Sequence, residues 1–249
     1  MYLQLTSNCN MACEHCCMST SKYIKGVNMD LGIAKAVIDM AAEWGTYLSL
    51  GGGEPTLHPE FKEILRYGLA AYQHAGDGAL WMATNGKKRK MANWVLKKAY
   101  REQDIDPDNP LFTVELSQDD FHEDIDLRTV EAFKQYGSSY GSPYSGGSRN
   151  SAIRTTSWEQ VSDSGFAREN GLGQTDKCAC SAIQLKANRE VRLCGCDDAP
   201  VMMMIDTPQD VATFEKRYVA TMDHEDWRQS ECWGQLEENS KEELIALWN

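Results

Sequence analysis

The stretch that decides the fold is Cys9-Asn10-Met11-Ala12-Cys13-Glu14-His15-Cys16, which follows a short apolar segment, Tyr2–Ser7. Its three cysteines are separated by three and then two residues, and thiolates select zinc, copper(I) or iron–sulfur clusters. A closed zinc site takes four protein ligands, and an ordinary 4Fe–4S cluster takes four cysteines. A set of three therefore predicts a cluster with one iron left open, while buried or zinc-binding thiols are the alternative.

The composition is that of an ordinary globular protein. The chain has 249 residues, of which 42% are hydrophobic and 25% charged, enough for one large domain or one domain with a small appendage. It contains no long apolar run and no secretory signal at Met1–Leu5, so we expect no membrane span and a cytoplasmic location. The nine cysteines lie in short clusters, which favours metal binding in a reducing compartment over disulfides.

The charge balance bears on possible partners. A net charge of −12 disfavours binding to long nucleic acids, although local patches can differ from the net charge. The basic run Lys87–Lys90 is interpreted as the solvated start of a helix. Nucleic acid therefore remains an open partner class.

Apolar strands and amphipathic helices alternate four times in the first half of the chain. The predicted strands are Tyr2–Ser7, Tyr47–Leu50, Ala79–Ala83 and Leu111–Leu116, and the predicted helices are Asp30–Trp44, Pro59–Tyr72, Lys90–Arg101 and Asp126–Tyr136. Ser151–Thr156 is a candidate fifth strand. This alternation predicts an α/β fold of parallel units with right-handed crossovers, in which functional residues follow the strands.

The pattern changes after Gly171. Ala182–Ala187 and Glu190–Leu193 alternate around a polar turn, which predicts a β-hairpin, and helices are predicted at Val211–Met222 and Lys241–Trp248. The hairpin is bracketed by two cysteine pairs, Cys178 with Cys180 and Cys194 with Cys196. Four thiols match the ligand count of a closed metal site.

The opening stretch resembles the C-x3-C-x2-C signature of the radical S-adenosylmethionine (SAM) superfamily. In that family SAM chelates the open iron, and reduction of the cluster cleaves SAM to methionine and a 5′-deoxyadenosyl radical. His15 stands where the family usually has an aromatic residue, and Cys17 is interpreted as a bystander. The resemblance implies a partial (β/α)6 TIM-like barrel over residues 1–171, with a small cysteine-containing extension over residues 172–249.

Three further motifs agree with the resemblance, each after a predicted strand. They are Gly51-Gly52-Gly53-Glu54-Pro55, Thr84-Asn85-Gly86 and Ser117-Gln118-Asp119-Asp120. In the family the first binds the SAM amino group, the second lines the SAM pocket and the third lies near the ribose. Taken alone, these motifs are also compatible with ordinary turns and helix caps.

The resemblance gives a set of site residues. Cys9, Cys13 and Cys16 are assigned to the 4Fe–4S cluster, and Gly52, Gly53, Glu54, Thr84, Asn85, Ser117, Asp119 and Arg149 to SAM. His122 and Asp120 are the candidates for substrate or proton handling. The C-terminal cysteines resemble SPASM or twitch extensions, which implies a second 4Fe–4S cluster at Cys178, Cys180, Cys194 and Cys196, with zinc as the competitor.

The expected function is radical modification of a peptide or protein, driven by a low-potential electron donor of the flavodoxin or ferredoxin type. Rearrangement or modification of a nucleoside or a hypermodified DNA or RNA base is the first alternative. A non-catalytic metal-binding module is the second, and it predicts metal binding without SAM affinity.

Overall fold

The computed structural model describes residues 1–140, 152–174, 183–195, 199–230 and 233–249. Arg149, Cys178, Cys180 and Cys196, to which the sequence assigns roles, lie outside these ranges. The assignments of these four residues therefore stay predictions.

The described residues contain eight strands and eight helices. The strands are β1 (Tyr2–Thr6), β2 (Leu48–Gly52), β3 (Leu80–Thr84), β4 (Phe112–Ser117), β5 (Ile153–Arg154), β6 (Gln184–Leu185), β7 (Glu190–Arg192) and β8 (Val201–Met204). The helices are α1 (Leu31–Glu43), α2 (Phe61–Ala75), α3 (Arg89–Ile105), α4 (Leu127–Tyr140), α5 (Phe166–Glu169), α6 (Val211–Asp223), α7 (Glu225–Ser230) and α8 (Glu238–Trp248).

All eight strands form one sheet in the order β5-β4-β3-β2-β1-β6-β7-β8. Every neighbouring pair from β5 to β6 is parallel, and only β6–β7 and β7–β8 are antiparallel. Six parallel strands with helices between the first five give the curved sheet of a partial barrel. The predicted α/β class is confirmed.

The hairpin of β6 and β7 lies in the main sheet. It pairs antiparallel as the alternation predicts, and β6 also pairs in parallel with β1, through Tyr2 with Gln184 and Leu3 with Leu185. The residues after 171 thus extend the same sheet, and their division from residues 1–171 stays a prediction. Strand β8 and helices α5 and α7 are not predicted by the sequence pattern.

The two faces of the parallel strands differ in chemistry. Leu3 and Leu5 of β1 are fully buried in the apolar core beneath α1 and α2. Alternate positions of β1 and β4 carry polar side chains that are also buried, among them Gln4, Thr113 and Glu115, none more than 5% exposed. The sheet therefore covers an apolar layer on one side and lines a polar interior on the other.

Local capping explains where two of the helices begin and end. Asp30 precedes α1, and its carboxylate accepts hydrogen bonds from the backbone N–H groups of Gly32 (2.8 Å) and Ile33 (3.1 Å). Helix α2 ends at Gly76, whose φ of 80° lies in the left-handed region that glycine adopts without strain. Among the described residues, no helix is both long and apolar enough to cross a membrane.

Candidate active site at the carboxyl ends of the strands

The cysteine loop, residues 9–17, leaves the carboxyl end of β1 and carries all three cysteines of the motif. Cys9, Cys13 and Cys16 are each partly buried. Their sulfurs are not among the donor groups that lie within 4.8 Å of one another in the described chain. Sulfurs bonded to one tetrahedral zinc would lie about 3.8 Å apart, given zinc–sulfur bonds of about 2.3 Å. At least one pair of the three sulfurs therefore lies farther apart in this structure than a single tetrahedral zinc requires.

The thiols are held in an environment that suits a bound cation. Burial raises the pKa of Cys13 to about 12, and the neighbouring sulfurs of Cys16 and Cys9 contribute to this rise. Burial also raises the pKa of Cys9. Ligating sulfurs must be deprotonated, so iron binding would release their protons and supply the compensating positive charge. The three residues fit an iron–sulfur group.

Glu123, which the sequence did not single out, anchors the cysteine loop from the β4 side. Its Oε1 accepts hydrogen bonds from the backbone N–H of Ala12 (3.0 Å) and from Nζ of Lys22 (2.7 Å). Its other oxygen, Oε2, accepts from Lys87. These bonds from Lys22 and Lys87 lower the pKa of Glu123 from 4.5 to about 2.

Replacing Glu123 with Gln should loosen this anchor. We expect roughly tenfold weaker iron retention, as for other residues that orient metal ligands. Because the folded pKa is depressed, the stability from Glu123 is present above pH 4.5 and lost as the pH falls towards about 2. Melting temperatures of the metal-free proteins should therefore differ near neutral pH and converge in acid. Asp124→Asn, on the exposed neighbouring residue, is the control, and equal iron retention in both variants would contradict the anchoring role.

A second support holds the end of the cysteine loop from the opposite side. The backbone N–H of Phe166 donates to the carbonyl of Cys16 (2.9 Å), and Nδ2 of Asn170 donates to the carbonyl of Glu14 (2.9 Å). Gly165 packs so closely that a Cβ there would lie 2.7 Å from the carbonyl oxygen of Cys16. The loop is thus fixed between the segment after β4 and the segment around α5.

Glu54 ties the ends of β2 and β3 together. Its side chain is 1% exposed, and its Oε1 accepts from the hydroxyls of Thr56 (2.5 Å) and Thr84 (2.9 Å) and from the Thr56 N–H (3.2 Å). Its Oε2 accepts from the N–H of Asn85 (2.8 Å). Burial raises the pKa of Glu54, and the hydrogen bonds offset part of this rise. A cation bound nearby would favour the ionised carboxylate.

The other predicted residues at these strand ends also reach the cysteine loop. Nδ2 of Asn85 donates to Oδ1 of Asn10 (2.8 Å) and lies 3.9 Å from Sγ of Cys9. Gly52 packs against the backbone of Thr6, where an added Cβ would lie 2.6 Å from the carbonyl oxygen. The motifs after β1, β2 and β3 therefore form one continuous site.

Gly53 allows the closest approach between two of these motifs. A Cβ on Gly53 would lie 2.5 Å from the carbonyl oxygen of Asn8 and 2.9 Å from Cβ of Cys9. Gly53→Ala should therefore displace the cysteine loop and lower iron affinity by about tenfold or more. Gly76→Ala strains a left-handed residue without touching the loop, so it should lower the melting temperature but retain full iron content. Full iron content in Gly53→Ala would refute the close-packing argument.

The segment after β4 forms a cluster of histidine, carboxylate and aromatic groups. Oδ1 of Asp119 lies 2.6 Å from Nδ1 of His122, and Oδ2 accepts from the N–H of Thr156 (3.0 Å). Burial raises the pKa of Asp119. The hydrogen bonds from His122 and Thr156 lower it by more than burial raises it, so the net shift is downward. The ring of His122 lies 4.9 Å from that of His15, and the two histidines and Asp119 offer ligand atoms within 4.8 Å of one another.

An aromatic wall adjoins this cluster. The ring of Phe121 lies between those of His15 and Trp158, with a centroid separation of 4.7 Å on each side. Burial is the main cause that lowers the pKa of His15 to about 4, so its ring is neutral at physiological pH. Such a wall suits contact with a planar ring.

The remaining predicted residues are placed less centrally. Ser117 is buried at the end of β4, where it pairs with Arg154 of β5, and Asp120 is exposed. Cys194, the one described member of the C-terminal cysteine set, is fully buried just after β7. The structure thus brings together the cysteine loop, Glu54, Asn85 and Asp119 but leaves Asp120 at the surface.

Solved structures share this fold at low sequence identity. The structure of BtrN in complex with AdoMet (SAM) and 2-DOIA superposes with a TM-score of 0.53 at 15% identity, covering 86% of this chain and 84% of BtrN. Polyhistidine-tagged anSMEcpe with bound AdoMet gives a TM-score of 0.50 at 14% identity, covering 86% and 78% of the two chains. At this identity the likeness extends to the fold alone.

Curated relatives match only part of the chain. The mycofactocin maturase MftC of Mycobacterium tuberculosis is 37% identical over 84 residues, which are 33% of this chain and 20% of MftC. The AdoMet-dependent heme synthase of Methanosarcina barkeri is 38% identical over 69 residues, 27% of this chain and 20% of that protein. The match thus spans about a fifth of the length of these relatives.

A partial barrel with three cysteines, a buried carboxylate and polar side chains at its strand ends is the arrangement expected of an α/β enzyme that binds an iron–sulfur cluster. The family model described as the radical SAM superfamily matches residues 3–140. This chain belongs to the radical SAM superfamily, which implies SAM and a 4Fe–4S cluster as its cofactors. The alternative of a non-catalytic metal-binding module disagrees with this membership and with the enzyme names of the relatives.

Proposed function

We propose that this enzyme uses SAM to modify a peptide or protein by radical chemistry. The observation that carries the proposal is the joining of the cysteine loop to the ends of β2 and β3 through Asn85 and Glu54. When bound, the cluster and SAM supply a 5′-deoxyadenosyl radical able to abstract hydrogen from an unactivated carbon. The chain supplies binding, orientation and exclusion of water around that radical.

Each group of site residues has a separate part in this proposal. Cys9, Cys13 and Cys16 hold the cluster, and the backbone of Gly52 and Gly53 accepts the SAM amino group. Oε1 of Glu54 accepts from three donors and Oε2 from one, and we propose that Glu54 fixes that backbone and contributes its negative charge. Thr84, Asn85, Ser117, Asp119 and Arg149 complete the proposed SAM pocket.

His122 is the proposed proton-handling residue. The bond between its Nδ1 and Asp119 orients its ring, and we propose that Nε2 exchanges a proton with the reacting groups. We propose that Asp119 acts on SAM and on this histidine at once. The exposed Asp120 is the weaker candidate.

A cleft beside the cysteine loop supports a peptide substrate. It has a volume of about 400 Å³ and runs between residues 17–26 and the β6–β7 hairpin. Lys186, Glu190 and Arg192 line it, and this mixture of positive and negative charges suits the polar groups of a peptide. The relatives named as mycofactocin maturases and the anSMEcpe structure with bound Kp18Cys peptide (TM-score 0.50) support the same class.

A nucleoside or modified base is the second candidate substrate. The aromatic wall of His15, Phe121 and Trp158 favours it, because a nucleobase stacks on such rings. The acidic net charge of −12 argues against a long nucleic acid.

Deuterium transfer separates the two substrate classes. The reconstituted enzyme would receive SAM and dithionite without oxygen, with either a perdeuterated tryptic peptide mixture or a perdeuterated nucleoside mixture. We expect deuterium in 5′-deoxyadenosine from the peptides alone. Deuterium from the nucleosides alone would replace the peptide proposal with the second candidate, and absence of 5′-deoxyadenosine in both reactions would contradict SAM cleavage.

We further propose that Cys178, Cys180, Cys194 and Cys196 hold a second 4Fe–4S cluster or zinc. The support is that the predicted hairpin exists and delivers the buried Cys194 to its end. Iron and zinc counting in a Cys194→Ala variant tests the proposal, which predicts a loss of metal beyond the cluster at the cysteine loop.

A further inference from the structure

A patch of unpaired cations surrounds Trp94 on the outer surface of α2 and α3. Nζ of Lys62 lies 5.4 Å from the Trp94 ring centroid, Nζ of Lys98 lies 5.7 Å away, and the Arg66 guanidinium carbon lies 5.7 Å away. Lys88 and Lys90 join Lys62 around an adjoining depression of about 480 Å³. Among the described residues none of these five cations forms an ion pair. We call these six residues the Trp94 patch.

The cations of the patch at the start of α3 are unfavourable for the stability of that helix. Lys88 caps α3 without a side-chain hydrogen bond, Arg89 and Lys90 follow, and the first turn has no acidic residue. The amino end of a helix already carries partial positive charge, so cations there are unfavourable. Asp126 pairs with Arg89 at this helix start, but among the described residues Lys88 and Lys90 form no ion pair, although a chain of net charge −12 has acidic residues to spare. Unpaired lysines at the amino end of a helix are unfavourable for the fold, and their presence there indicates a binding role.

The patch also borders the active site. Lys88 follows Asn85 by three residues, a span of at most about 11 Å, and Nδ2 of Asn85 lies 3.9 Å from Sγ of Cys9. Lys87, between them, pairs with Glu123, which holds the cysteine loop. The patch therefore begins at the rim of the proposed cluster site and extends outward over α2 and α3.

We propose that the Trp94 patch is the docking surface for an acidic protein that delivers the reducing electron, an inference that rests on the proposed function. Carboxylates of the partner face Lys62, Lys88 and Lys90, and the Trp94 ring gives a flat contact at the centre. The donor loses one electron, and the cluster held by the cysteine loop gains it. A cationic patch on an otherwise acidic molecule attracts an acidic partner to this surface, which fixes its orientation near the cluster.

A charge-reversal variant tests the docking surface. It carries Lys62→Glu, Lys88→Glu and Lys90→Glu, and acidic residues at the start of α3 favour the helix, so the variant should fold. The matched control carries Lys134→Glu, Lys216→Glu and Arg228→Glu, with the same charge change on exposed residues of α4, α6 and α7. Binding of an acidic flavodoxin is measured by calorimetry at low salt. Formation of 5′-deoxyadenosine is measured with reduced flavodoxin and, separately, with dithionite.

We expect the patch variant to bind flavodoxin roughly tenfold more weakly than wild type. With reduced flavodoxin, its rate of 5′-deoxyadenosine formation should fall by a similar factor. Its dithionite-driven rate should equal that of wild type, and the control variant should keep both activities. Unchanged flavodoxin binding in the patch variant, or an equal loss in the control, would overturn the proposal. The proposal would also be overturned if the wild-type protein bound a single-stranded oligonucleotide through this patch but did not bind flavodoxin. Failure of wild type with dithionite would instead reject SAM cleavage, while the binding result still decides the docking surface.

Discussion

Replacing Cys13 with Ala is expected to abolish SAM cleavage. The variant keeps two of the three proposed ligands, and a cluster with so few sulfurs should be lost during anaerobic reconstitution and desalting. Formation of 5′-deoxyadenosine should fall on the order of a thousandfold, because the protein's own groups cannot replace the cofactor. Iron and sulfide counts and chromatography of the nucleoside product measure the two effects.

Cys17→Ala is the matched control for this prediction. Cys17 neighbours Cys16 and is similarly buried, but it lies outside the three-cysteine spacing. We expect this variant to keep its iron and its activity. If Cys17→Ala lost iron and Cys13→Ala retained it, the ligand assignment would be wrong.

Replacing Glu54 with Gln is expected to damage both stability and SAM binding. Four donors converge on the carboxylate, so an amide NH2 must face at least one of them and leave it unsatisfied in a buried place. The cost should be about 3 kcal/mol, which corresponds to a melting temperature roughly 6–12 °C lower for a chain of this size. SAM affinity should fall by about tenfold or more, because the ends of β2 and β3 lose their shared acceptor.

Thermal unfolding and equilibrium dialysis with SAM measure these two effects. Glu43→Gln, on the exposed last residue of α1, makes the same chemical change without disturbing a network. A variant at Glu54 that binds SAM weakly but melts like wild type would favour direct contact between the carboxylate and SAM. A variant that melts and binds like wild type would remove Glu54 from the site.

The sequence predicts those parts of the fold that depend on periodic patterns and capping. The apolar alternation of β1 to β4 and the Asp30 cap are local signals, so the first four βα units are predicted close to their observed bounds. The pairing of β6 with β1 depends on contacts between residues some 180 positions apart, and a two-residue strand carries too little pattern to show it. The hairpin was visible, but its neighbour in the sheet was not.

The same distinction holds for the site. The cysteine loop and the motif at Glu54 are recognisable because their spacing is contiguous in sequence. Glu123 and Phe166 are not predicted from the sequence, because an isolated glutamate and a backbone N–H have no recognisable pattern. Only the fold shows that Glu123 contacts Ala12 and that Phe166 contacts Cys16. The sequence predicts Glu54 as a candidate site residue, but only the structure shows the four hydrogen bonds that its carboxylate accepts.

The position of β6 beside β1 has a consequence for truncated forms of the protein. A fragment that ends at residue 171 would leave the backbone of Tyr2 and Leu3 without the partners Ile183, Gln184 and Leu185. A central strand rich in buried leucine would then become an open edge, which readily pairs with other chains. The hairpin thus also protects the fold from aggregation, and the segment that matches the family model should be poorly soluble when expressed alone.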